Sequence, residues 1–147
     1  METTLPQEID LQLVTPERRV ISATVSGVTL PGASGELGIL PGHAPLVSEL
    51  SPGVVTFERE GSAQVLATGS GFAEVLPGRV TVLVQTAETP DEIDLEQARR
   101  AMQQAESRLK KPVTSDADMR EAQAAQDDLR LATARVAVST RITPKRA

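Results

Sequence analysis

Residues Gly27 to Val55 read GVTLPGASGELGILPGHAPLVSELSPGVV. Glycine and proline break every apolar run here, including Ile39-Leu40 and Leu46-Val47. Glycine reaches backbone angles that other residues avoid, and a residue preceding proline is pushed to extended geometry. The stretch cannot be a helix; it must be a series of tight turns and short strands.

The same period of two extends outward on both sides. Ile9, Leu11 and Leu13 alternate with Asp10, Gln12 and Val14, as in a strand with one buried face. Val20 to Val25 follows the Pro16 turn, and Val28 to Leu30 follows Gly27. Val54 to Glu60 is the next strand, with Val55 and Phe57 on one side; Glu60-Gly61 signals a hairpin into Ala63 to Ala67. Phe72 to Leu76 leads into Pro77-Gly78, for which a type II turn with glycine at positive φ is expected. The β-branched run Val80, Val82, Val84 closes the series. Short strands at this spacing imply an antiparallel β-sandwich of about ten strands over residues 1–87.

From Ile93 the period becomes 3.6. Asp94 is placed to cap a helix over about 94–111, with Leu95, Ala98, Met102, Ala105 and Leu109 on one stripe. Lys110-Lys111 suits its C-terminus, and Pro112 prevents continuation. Ser115-x-x-Asp118 is an acidic variant of the capping box and starts a second helix, about 116–139. Its stripe is Met119, Ala122, Ala125, Leu129, Ala132 and Val136. Residues 88–147 thus form a two-helix antiparallel hairpin, joined to the sandwich by a linker from Ala87 to Asp91. Alanine-rich stripes let helices approach closely but bury little area, so the hairpin is expected to rest weakly on the sandwich.

Composition narrows the function. The 147 residues include no cysteine, tryptophan or tyrosine, two phenylalanines and one histidine. That removes thiolate chemistry and a multi-histidine zinc site, and it argues against stacking platforms for single-stranded nucleic acid or sugar. The N-terminus has no basic and apolar signal pattern, and no apolar run approaches the ~20 residues of a membrane span. Residues 1–87 carry nine acids and four bases, whereas residues 88–147 carry eleven of each. After Asp128 only bases remain: Arg130, Arg135, Arg141, Lys145 and Arg146. Such a basic end seeks an acidic partner or phosphate, and the acidic whole disfavours duplex DNA.

No motif proposes catalysis. The glycines of 35–42 lack a following Gly-Lys-Ser/Thr, Gly69-Ser70-Gly71 reads as a bend between strands, and no serine sits in a nucleophile elbow. His43 has no neighbouring carboxylate to orient it; its ring either caps backbone carbonyls or contacts a partner from the stiff loop between Pro41 and Pro45. Glu36 is either a solvated turn acid or a charge presented by a rigid turn.

Three segments, LQLVTPERR (11–19), GELGILPGHAPLVSELSPGVV (35–55) and GSGFAEV (69–75), together with Val80 to Val84, resemble the epsilon subunit of F-type ATP synthases. The resemblance covers both halves and implies the same sandwich-plus-hairpin architecture. It implies a non-catalytic rotor subunit without a cofactor, binding the gamma subunit and the c-subunit ring, with its C-terminal helices reaching the alpha/beta catalytic subunits and inhibiting hydrolysis. It places the chain peripherally on the cytoplasmic face of a bacterial inner membrane or an equivalent energy-transducing membrane, held there through partners, with no nucleic acid involved. The family's ring-facing acid falls on Glu36 and its loop histidine on His43; Leu40, Ala44, Arg130 and Arg135 complete the partner residues. Members that bind ATP on the hairpin carry Ile-Asp-x-x-Arg-Ala, whereas this chain reads Ile93-Asp94-Leu95-Glu96-Gln97-Ala98. Glu88, Ile93 and Asp94 remain, but Gln97 cannot offer a charged fork to phosphate, so ATP binding is expected to be lost. The alternative from another class is a free-standing β-sandwich binding module that dimerises through its hairpin.

Overall fold

The computed structural model describes residues 5–141. Ten strands are followed by two helices: β1 (Ile9–Val14), β2 (Arg19–Val25), β3 (Gly27–Gly32), β4 (Gly35–Ile39), β5 (Leu46–Leu50), β6 (Gly53–Arg59), β7 (Ser62–Thr68), β8 (Gly71–Leu76), β9 (Arg79–Val84), β10 (Ala87–Glu88), α1 (Leu95–Leu109) and α2 (Asp116–Ser139). The sheet order is β10-β7-β6-β3-β5-β8-β9-β1-β2, with β4 paired to β3. A single residue pair, Gly32 with Leu50, joins β3 to β5. There the sheet folds over on itself and encloses a core of Ile9, Leu11, Leu30, Leu50, Phe57 and Leu66, among others, all nearly inaccessible.

The alternation in the sequence is the alternation of burial: β1 is buried at Ile9, Leu11 and Leu13, and β9 at Val80, Val82 and Val84. Glu60 and Gly61 both take positive φ, 53° and 77°, as a tight hairpin between right-twisted strands requires. A Cβ on Gly71 would run into the Leu83 carbonyl, so glycine lets β8 close on β9.

Three readings change. The sandwich is antiparallel except at one ladder, where β1 runs parallel to β9. Gly78 does not adopt positive φ, which rules out type II at Pro77-Gly78; a Cβ there would lie 3.3 Å from Pro6 Cγ, so the crossing N-terminal segment explains the glycine. Ala87 and Glu88 are not linker: they pair with Thr68 and Ala67 of β7 as β10. One 3-10 turn, Pro90–Glu92, then leads to α1.

Asp94 caps α1 by accepting the Gln97 N–H at 3.1 Å, and Ser115 caps α2 by accepting that of Asp118 at 3.1 Å. The return half of the box goes elsewhere, because Asp118 accepts the Thr114 N–H at 3.0 Å and its hydroxyl at 2.8 Å. Those two bonds hold the Asp118 carboxyl below its ordinary range. The α1 stripe is buried at Ala98 and Ala105. In α2 the buried positions are Ala125, Ala132, Ala134 and Val138, while Met119 is exposed and Val136 only half-buried. The last turns of α2 have a second neighbour: Ala134 and Val138 pack with Ala67, Ile93 and Ala98, flanked by Val54 and Val65.

Candidate partner surface and helical latch

The sandwich has two outer faces with different fates. On β6 and β7 the outward residues Val54, Val65 and Ala67 are covered by α2. On the other layer nothing among the described residues covers the outward residues of β5, β8, β9 and β1. Pairing sets Glu49 beside Phe72 and Phe72 beside Leu83, and the parallel ladder then sets Leu83 beside Val14. The next row is Val47, Glu74, Thr81 and Gln12, by the same registers. Val47, Phe72 and Leu83 are 71%, 57% and 53% exposed, too much apolar surface for three residues on one face to be incidental. A cleft of about 500 Å³ runs along Val14, Pro16, Phe72 and Leu83, with Glu49 at its rim.

The inward alternates alone do not point to this outer row. The signal was present: Phe72 and Leu76 in β8 and Leu83 in β9 are apolar where a solvated face would be polar.

Glu36 lies at the start of β4, and His43 lies in the loop that follows its other end. Glu36 follows the β3–β4 turn, is exposed, and pairs by backbone with Pro31. Leu40 lies roughly 13 Å further along the strand, at ~3.3 Å per residue. Its loop is fastened to the β8–β9 turn by Gly42 N–H donating to Pro77 O at 2.8 Å. The His43 N–H donates to Leu40 O at 3.1 Å, and its Nδ1 lies 2.7 Å from Ala44 O, a pairing that puts the proton on Nδ1. Leu40 is 68% exposed and Ala44 is exposed. The fold therefore groups Leu40, His43 and Ala44 at one end of the sandwich and leaves Glu36 toward the other.

At the hairpin junction, Arg135 of α2 donates from Nε to Glu88 Oε1 at 2.7 Å and from Nη2 to Gln97 Oε1 at 3.1 Å. Ile93 is buried in the docking seam, and Asp94 is engaged as the cap. Arg130 lies 3.6 Å from Asp127. Lys145 and Arg146 fall outside the described residues. Within the hairpin, Arg108 of α1 bridges to Glu121 and Asp128 of α2 at 2.7 and 2.6 Å, and this guanidinium holds Glu121 below the ordinary carboxylate range. Among the described residues no helix is long and apolar enough to cross a membrane.

Two family models together cover the chain: "ATP synthase, Delta/Epsilon chain, beta-sandwich domain" matches residues 8–90, and "ATP synthase, Delta/Epsilon chain, long alpha-helix domain" matches residues 91–140. The chain belongs to the ATP synthase delta/epsilon family. Curated relatives named ATP synthase epsilon chain include that of Geotalea uraniireducens, 44% identical over 116 residues, 79% of this chain and 84% of the relative. That of Geobacter sulfurreducens is 43% identical over 121 residues, covering 82% and 88%. Among solved structures, a chain of the Euglena gracilis mitochondrial ATP synthase (OSCP/F1/c-ring) superposes with a TM-score of 0.73 at 27% identity, covering 86% of this chain and 80% of that one. A chain of the Tetrahymena thermophila mitochondrial ATP synthase central stalk/c-ring shares the fold, with a TM-score of 0.64 at 16% identity, covering 90% and 99%. Family membership makes the chain a component of the ATP synthase, distinct from its catalytic subunit.

Proposed function

We propose that this chain is a rotor-stalk subunit that binds gamma through its open sheet face and transmits rotation to and from the c-subunit ring. The observation that carries the reading is the uncovered row Phe72–Leu83–Val14 with Val47 beside it, an apolar surface that nothing among the described residues covers. Glu49 and Glu74 flank that row, so the complementary surface on gamma is apolar with basic neighbours. Glu36 contacts the ring, while Leu40, His43 and Ala44 present a stiff loop at the other end of the sandwich. The complex sits peripherally on the cytoplasmic face of a bacterial inner membrane, and the chain reaches the membrane only through its partners.

The hairpin acts as a brake: extended, it carries Arg130 and Arg135 to acidic surface on the catalytic subunits and slows ATP hydrolysis. In the docked arrangement Arg135 is already satisfied by Glu88, so it is available to a partner only after release. ATP does not bind at the junction, because Gln97 replaces the arginine fork and its amide is already bonded to Arg135.

The test of the gamma face is Phe72→Asp with Leu83→Asp. Both side chains are more than half exposed, so the free subunit should melt within a few degrees of the parent while co-purification with gamma is lost. Retention of gamma by a folded double variant would end this assignment.

A further inference from the structure

The geometry points to Arg135 as a desolvated ionic latch that holds the hairpin on the sandwich, with Glu88 as its catch. This deepens, and rests on, the reading of the hairpin as a mobile brake: it names what keeps the brake off.

The Arg135 side chain is 13% exposed and Glu88 30%, whereas every other ion pair among the described residues keeps its cation at 30% exposure or more. The contact is two-pronged, with Nε to Oε1 at 2.7 Å and Nη2 to Oε2 at 3.3 Å. Nη2 also donates to Gln97 Oε1 at 3.1 Å. One guanidinium therefore fastens three elements: α2, which carries it, the last sandwich strand β10 through Glu88, and the first turn of α1 through Gln97. Glu88 is itself held in place, since β10 pairs with β7 beneath α2.

What surrounds the pair makes it decisive. The apolar docking seam buries three alanines, Ala67, Ala98 and Ala134, with Val138 and Ile93, and its remaining members, Val54, Val65 and Val136, are only half-buried. Little apolar area is available to hold the hairpin if the ion pair fails. Removing one partner also leaves the other charge partly buried without compensation, which favours the undocked arrangement, where water solvates it. The second ion pair at the junction, Arg18 with Glu92 at 3.0 Å, is 51% and 39% exposed and belongs to the weak surface class. The latch is thus a single side chain, and docking and braking compete for it.

The experiment uses the free subunit and needs no gamma. The chain contains no cysteine, so Ala63→Cys and Ala137→Cys place two spin labels without background, on exposed positions of β7 and α2. The parent should give one dominant short distance. Arg135→Met keeps the aliphatic stem and removes the charge; Glu88→Gln removes the other. Each should raise the population with long separation about tenfold or more, with the melting of the sandwich unchanged. Arg18→Gln should leave the distribution near that of the parent. The exchanged pair, Glu88→Arg with Arg135→Glu, should recover most of the short population. A distance distribution unmoved by Arg135→Met and Glu88→Gln, or moved equally by Arg18→Gln, overturns the latch. So does an exchanged pair that fails to close. The brake reading is judged separately, by hydrolysis in the assembled complex, and can stand or fall whatever the labels report.

Discussion

Val138→Ala tests whether docking is a local equilibrium distinct from folding. Val138 is fully buried and meets Ala67, Ile93, Ala98 and Ala134 in the seam between α2 and the sandwich. Alanine removes two methyl groups from that seam. At ~0.8 kcal/mol per buried carbon the transfer loss is about 1.6 kcal/mol, and incomplete collapse around the gap adds to it. Since 1.36 kcal/mol is tenfold in an equilibrium constant, the undocked population should rise about fifteenfold. Native-state amide exchange reads this directly. Protection should fall by that factor in the last turns of α2, while β1 and β9, enclosed in the main core, keep parent rates. Phe57→Ala is the contrast: it empties a core site on β6, should cost ~3–5 kcal/mol, and should accelerate exchange everywhere. If Val138→Ala accelerates β1 as much as α2, hairpin and sandwich open as one unit and the reasoning is wrong.

Other outcomes follow from the same surfaces. Glu36→Lys should lower proton pumping per ATP hydrolysed in the assembled enzyme without changing the melting temperature of the free subunit, because the side chain is exposed; unchanged coupling would remove Glu36 from the ring contact. Titration of ATP into the free subunit should show no saturable binding below the millimolar range, and a micromolar isotherm would show that Glu88, Ile93 and Asp94 suffice without an arginine at 97. Deleting everything after Glu88, so that β10 stays whole, should leave a folded sandwich that still binds gamma and raise hydrolysis in the complex. Acid stability has a definite sign. Glu92, through the Thr89 N–H, Asp10, through the Gln12 amide and then Arg79, Asp118, and Glu121 all titrate below their ordinary range when folded. A lowered folded value adds stability above the unfolded value and loses it as pH falls through the folded one, so the urea midpoint should be flat near neutrality and decline below about pH 4. Glu121→Gln and Asp118→Asn should make that decline shallower, by a small amount at such exposed sites.

The strands and helices were legible because each carries a single period. β1, β6, β8 and β9 alternate cleanly, and both helix caps bind the N–H groups that their spacing announces. Legibility failed where one residue answers to two neighbours. The stripe Met119 to Val136 treats α2 as facing only α1, but its last turns also face the sheet, so Ala134 and Val138 are buried and Val136 is only half so. Ala87-Glu88 is too short to show a period, and only the partner strand β7 makes it β10. The parallel β1–β9 ladder joins residues about seventy apart, a relation no local pattern encodes. Arg135 appeared in sequence as one of several free cations at a basic end; its burial depends on Glu88, forty-seven positions away. The outer row Phe72–Leu83 was visible as apolar residues on the wrong alternates, but the sequence does not say which outer face a helix will cover.

The sizes of the buried side chains rank the interfaces, and that ranking governs which motions are available. Between the two layers of the sandwich lie phenylalanine, leucine and isoleucine, each burying enough apolar surface to make separation global unfolding. Between α1 and α2 the buried residues are alanines, and Arg108 adds a three-membered ionic bridge to Glu121 and Asp128. Between α2 and the sheet the seam is smaller still: Ala134 and Val138 of α2 are buried there against Ala67, Ile93 and Ala98, with half-buried valines at its edge and Arg135 fastening it. A perturbation that grows in strength should therefore free the hairpin from the sandwich first, part the two helices next, and breach the sandwich last. That order places movement at the hairpin seam and rigidity in the sandwich: the open row of Val14, Phe72 and Leu83 lies on strands that enclose the main core, and the hairpin hangs from the weakest seam.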